Sequence, residues 1–235
     1  MSLHRAIRSA ARRAAALLGL AVGAGCVVEG EARTAEGPVE AVATTGMIGD
    51  AVARVGGDRV RVVTLMGPGV DPHLYKARAG DVRRIAGADV IFYNGLHLEA
   101  AMGEVFEAMA GRTRTVAVTR GIPEERLLSP PEFAYAHDPH VWFDVALWME
   151  VVREVARALE AEDPAGAETY RRNAAAYLEE LAALDRWVAG RIAALPPERR
   201  VLVTAHDAFN YFGRAYGVEV RGLQGISTAA EAGTA

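Results

Sequence analysis

Short apolar runs rich in β-branched residues alternate along this chain with stretches of helical periodicity, and that alternation constrains the fold more than any other feature. Val39–Thr45, Val60–Met66, Val90–Tyr93 and Thr115–Val118 read as strands. Between them Met47–Val55, a helix begun by Asp81 and running to about Ala86, and Leu98–Met109 read as helices, with Gly56-Gly57-Asp58 and Gly67-Pro68-Gly69 as turns. Strand–helix–strand order predicts an α/β fold with a mainly parallel sheet flanked by helices. A polar stretch from Thr119 to Asp138 leads to a helix that starts after Asp144, a good N-cap, and reaches about Ala161. Asp163-Pro164 then opens a much longer one, with Asp as cap and Pro at the first helical position. Its Tyr170, Ala174, Tyr177, Leu181, Leu184 and Val188 recur at spacings of four and three, so one face is apolar up to about Leu195. Either a coiled-coil stem or a strut behind two lobes fits that pattern. After Pro196-Pro197 a further unit follows: strand Arg200–Thr204, helix Ala208–Tyr216, strand Val218–Leu223. Two strands and a helix do not enclose a core, so this second unit is expected to be incomplete, with an uncovered apolar edge at Val218–Leu223.

The first residues read as an export leader. Arg5, Arg8, Arg12 and Arg13 precede an apolar run from Ala14 to Gly25 that is too short to span a bilayer. Residues 1–25 are therefore expected to be a signal peptide and 26–38 a small, polar tether. Cys26, after Gly23-Ala24-Gly25, sits where a lipoprotein carries its acylated cysteine, although Gly23 stands where that pattern usually has leucine. It is the only cysteine, so any metal site must be built from nitrogen and oxygen. The formal charge is -4, and the leader's four arginines are matched by no acid, which leaves -8 for the rest. That balance argues against a nucleic-acid partner, which needs a clustered basic face.

Six histidines are present, and three share a setting. Asp-Pro-His occurs twice, at Asp71-Pro72-His73 and Asp138-Pro139-His140. Proline fixes its own φ and biases the aspartate before it to extended geometry, so each histidine projects from a stiff loop. His206 follows the strand Val201–Thr204, and His73 follows the strand that ends at Met66. The carboxyl ends of parallel strands are where open α/β sheets hold ligands. Their wide spacing matches no local metal motif.

Five segments stand in a telling order: Gly67-Pro-Gly-Val-Asp-Pro-His-Leu-Tyr75, Asn94-Gly-Leu-His-Leu-Glu99, Asp138-Pro-His-Val-Trp-Phe-Asp144, Thr204-Ala-His-Asp-Ala-Phe209 and Gly225-Ile-Ser-Thr228. Together they resemble the TroA-like solute-binding proteins of bacterial zinc and manganese ABC transporters, from Val39 to Thr228. The resemblance implies two α/β lobes joined by one long helix: residues 39–162, the helix 163–195, and the start of a second lobe at 196–235. It implies that His73 and His140 from the first lobe and His206 from the second are ligands of one Zn²⁺ or Mn²⁺ ion. That ion is the transported ligand, not a catalytic cofactor. The family's fourth ligand, an aspartate late in the second lobe, has no counterpart, so the chain reads as C-terminally truncated. The implied function is extracytoplasmic or periplasmic metal capture by a monomer, in contact with the membrane only through a lipid anchor at Cys26, with delivery to a membrane permease.

Two other readings compete. Three histidines with an open fourth position also describe a zinc hydrolase, but no nucleophile motif or placed general base accompanies them, so no catalytic residue is expected. A degenerate fragment with no physiological ligand is the second. Elsewhere, His97 reads as structural and His137 as solvated, Trp142, Trp148 and Trp187 as packing residues, and Glu99 and Glu104 as helix surface charges.

Overall fold

A computed structural model describes residues 37–109, 111–130 and 136–228. The leader, Cys26, most of the tether and Ala229–Ala235 lie outside the described residues. Strands β1 (Val39–Thr45), β2 (Val60–Met66), β3 (Val90–Tyr93) and β4 (Arg114–Ala117) form one parallel sheet in the order β2-β1-β3-β4. Because β1 is central, its apolar run serves two cores. Val39, Ala41 and Ala43 face one side, while Val42 faces the other with Met66, Ile85 and Ile91. Burial on both faces explains why Ala41-Val42-Ala43 is an unbroken apolar run instead of an alternating one.

The larger core lies under helices α1 (Gly46–Gly56) and α4 (Val145–Glu162). Asp144 caps α4 as expected, its Oδ1 accepting the N–H groups of Ala146 and Leu147. The opposite face is covered by α2 (Ala79–Ala86) and α3 (Gly103–Met109). Asp81 lies inside the first turn of α2 and accepts the Arg78 N–H and the Tyr75 hydroxyl. The helix expected from Leu98 is shorter: a 3-10 turn over Ala100–Met102 comes first.

The long helix is α5 (Ala167–Ala193), entered through a 3-10 turn at Pro164–Gly166. Asp163 precedes that turn, but its carboxylate accepts from Arg59 and from the Tyr170 hydroxyl at 2.7 Å instead of capping the helix. Tyr170, Ala174 and Leu181 of the apolar face are buried. The face then outruns its cover: Leu184 is exposed, and Trp187 is 64% exposed. The expectation of packing holds for Trp148, which is buried, and fails for Trp187, because in this half of α5 the described partner is α6 (Asn210–Tyr216), which reaches it through the Tyr216 hydroxyl on Asp185.

Beyond α5, β5 (Val201–His206) and β6 (Glu219–Gln224) pair in parallel as a second sheet. Among the described residues it has two strands, and Val201, Val203 and Leu223 are exposed on it. No helix of the described residues is long and apolar enough to cross a membrane.

Candidate metal centre

Three chain segments deliver one histidine each to a single point. His73 comes from the loop after β2, and His140 from the loop that enters the 3-10 turn Val141–Phe143. His206 is the last residue of β5, one step inside the strand where sequence alone places it just beyond. The ligating atoms of all three lie within 4.8 Å of one another, and among the described residues this is the group of histidine, cysteine or acidic side chains that could hold a metal ion. His73 and His140 are buried, and His206 is half-buried. His97 and His137 stay out of it. His97 is exposed, and His137 pairs with Ser129 at 2.8 Å through Nδ1.

The hydrogen bonds behind the rings fix what the rings offer. His140 Nδ1 lies 2.7 Å from Asp138 Oδ1, and His206 Nδ1 lies 2.8 Å from the Gly225 carbonyl oxygen. Carboxylates and carbonyls accept, so each Nδ1 carries a proton, and in the neutral ring each Nε2 is left with a bare lone pair. Those two Nε2 atoms face each other at 3.1 Å, and His73 Nε2 faces His140 Nε2 at 3.2 Å. Between neutral His140 and His206, lone pair against lone pair at that range is repulsive without a cation between them. Two nitrogens bound to one tetrahedral zinc at about 2.0–2.1 Å stand about 3.4 Å apart, close to the spacing seen. Burial, then the neighbouring His140, and less strongly His206, pull the His73 imidazole from the usual 6.5 down to about 4. At neutral pH it is therefore the free base that a metal needs.

The scaffold around the rings contains the residue that sequence reading misplaced. Glu99 is buried, not a surface charge: Oε1 accepts the Thr44 hydroxyl at 2.7 Å and the Asn94 N–H at 2.8 Å, and Oε2 accepts the Gly95 N–H. Burial raises its pKa above the ordinary carboxyl value, and these hydrogen bonds offset only part of that rise. They hold a turn in which Gly95, Leu96 and His97 all have positive φ, at 85°, 51° and 64°. Left-handed leucine and histidine are uncommon, and such strain persists only where the surroundings enforce it. The turn's purpose is visible in Asn94, whose Nδ2 donates to the Pro139 carbonyl at 3.0 Å and so props the His140 loop. On the other side, Trp142 packs edge-on against the His140 ring at 5.2 Å.

Comparison with known proteins places the chain in a family. The family profile for the zinc-uptake complex component A, periplasmic (ZnuA), matches residues 41–235. The zinc-binding protein TroA of Treponema pallidum is 52% identical over 198 residues, covering 84% of this chain and 64% of that protein. The manganese-binding lipoprotein MntA of Bacillus subtilis is 44% identical over 209 residues, covering 89% of this chain and 68% of that protein. The chain thus spans about two thirds of the length of these curated relatives. The solved structure of the Treponema pallidum periplasmic zinc-binding protein superposes with a TM-score of 0.81 at 51% identity, over 84% of this chain and 71% of that one.

Proposed function

Because the chain belongs to the ZnuA family of periplasmic zinc-uptake components, we propose that it captures a divalent transition metal outside the cytoplasm and delivers it to the permease of an ABC transporter. One observation carries the reading: the Nε2 atoms of His140 and His206, each ring held from behind through Nδ1, meet at 3.1 Å, an arrangement that a shared cation stabilises. His73, His140 and His206 are the proposed ligands, with the metal as cargo and no catalysis. Three imidazoles favour zinc over manganese, since manganese prefers more oxygen donors. One relative is named for each metal, which fits a site whose selectivity lies in the remaining donors.

Residues 39–162 would form the first lobe, 163–195 the connecting helix, and 196 onward the second. Residues 1–25 would direct export, and Cys26 would carry a lipid, as the lipoprotein name of MntA supports. Nothing observed favours a hydrolase.

Calorimetric titration tests the proposal. His73→Ala, His140→Ala and His206→Ala should each weaken zinc binding on the order of a hundredfold or more, and His97→Ala and His137→Ala should leave it close to wild type. Wild-type zinc affinity in the His73→Ala variant would sink the site. A wild-type chain that binds neither zinc nor manganese would sink the function.

A further inference from the structure

The two Asp-Pro-His segments share more than their sequence. In each, Oδ1 of the aspartate accepts the backbone N–H of its own histidine at 2.9 Å, Asp71 from His73 and Asp138 from His140. Proline between them has no N–H to compete, so the loop closes on the carboxylate. One oxygen of each aspartate is thereby spent locally. The other, Oδ2, faces away from the loop, and in both cases it meets a donor from beyond α5. Thr228 Oγ1 donates to Asp71 Oδ2 at 2.7 Å, and Asn210 Nδ2 donates to Asp138 Oδ2 at 3.3 Å.

His206 arrives from the same side. Its Nδ1 bonds the Gly225 carbonyl, three residues before Thr228, so one short segment both orients His206 and reaches Asp71. The His206 ring and the Asp71 bond are therefore held by one segment, and Asn210, four residues after His206, holds Asp138. Asp138 is fully buried, so losing the Asn210 amide would leave a desolvated carboxylate oxygen without that donor. We infer that Thr228 and Asn210 are positioning residues which clasp the Asp71 and Asp138 carboxylates while the three histidines are together and so set how long a metal is held.

The chemistry of the donors suits a carrier that must also let go. A hydroxyl and an amide are neutral, so they steady the carboxylates without cancelling the charge that supports the imidazoles. Lysine or arginine there would bond about twice as strongly and would tend to lock the site. The docking of α6 does not depend on these bonds. Tyr211, fully buried, donates to the Asp138 carbonyl at 2.8 Å and accepts the Leu128 N–H, and Arg214 donates to the Arg126 carbonyl at 2.7 Å.

The inference rests on the metal-binding reading above, and its test separates the two. Zinc release from the full chain to a chromogenic chelator is followed by stopped flow for wild type, Thr228→Val, Thr228→Ser and Asn210→Leu, with cobalt(II) absorption spectra for each. Thr228→Val and Asn210→Leu should release zinc about tenfold faster, Thr228→Ser should return to the wild-type rate, and the cobalt spectra should stay those of the wild-type ligand set. Wild-type release from both Thr228→Val and Asn210→Leu would overturn the clasp, as would fast release from Thr228→Ser. If Asn210→Leu fails to fold, the Thr228 pair alone decides. A wild-type chain that takes up no zinc or cobalt refutes the metal reading, and this one with it.

Discussion

Glu99 shows how a residue far from the converging rings can govern them. Its carboxylate satisfies two backbone N–H groups and a buried threonine hydroxyl, and so holds the left-handed turn that lets Asn94 reach Pro139. Replacing Glu99 by alanine strands those donors in the core, where each unsatisfied group costs about 1–3 kcal/mol. The Glu99→Ala variant should lose about 2–4 kcal/mol of stability in urea titration, and zinc binding should weaken as the His140 loop loosens. Unchanged urea midpoint and affinity together would show the turn to be self-supporting. The stiff, polar Asp-Pro-His loops were legible because proline and aspartate advertise them, while the grouping of their histidines came from the family resemblance. Glu99 was not, because the period of Leu98–Met109 suggests a helix with that carboxyl outward. The chain instead turns left-handed at Gly95–His97 and points it in, a choice made by partners 5 and 55 residues away. The donors Thr228 and Asn210 were invisible for the same reason: nothing local marks which carboxylate they meet.

At the scale of elements, the junction of α4, α5 and β2 turns on Asp163. Burial alone would raise its carboxyl, but hydrogen bonds from Tyr170 and Arg59 outweigh that and hold it below the usual 3.8. A depressed carboxyl stabilises the fold above its unfolded value, and that contribution is lost as pH falls through the folded one. Stability should therefore decline below about pH 4 in the wild type, with a shallower decline in Asp163→Asn, read by urea titration between pH 5 and pH 2.5. Parallel slopes for the two proteins would remove Asp163 from the account. Gly166 belongs to the same junction: a Cβ there would stand 2.5 Å from Asp163 Oδ2 and 2.7 Å from the Tyr170 ring, which leaves room for glycine alone. The four strands, α1, α4 and α5 were all readable from periodicity. The cover of α5 was not, since an apolar face states that something can be buried without stating how far its partners extend.

For the whole molecule, the three histidines join two separate sheets. His206 belongs to the two-stranded sheet, and His73 and His140 to the loops of the four-stranded one. A cation held at their meeting point would bind the folded chain and not the unfolded one, so it should raise the melting temperature by mass action. With zinc at a hundredfold excess over its dissociation constant, the gain is about 2.7 kcal/mol, or roughly 5–10 °C for a chain of this size. His140→Ala should abolish the shift, and an equal rise in that variant would place the zinc elsewhere. The left-handed turn after β3 has a consequence for the sequence as something inherited. With φ at 51° and 64°, positions 96 and 97 are closed to valine, isoleucine and threonine by crowding at Cβ, and to proline by its ring. Glycine, asparagine and aspartate remain open. Neither side chain has to touch the cargo for this to hold: any lineage that keeps Asn94 beneath Pro139 inherits the same narrowed alphabet two residues further on.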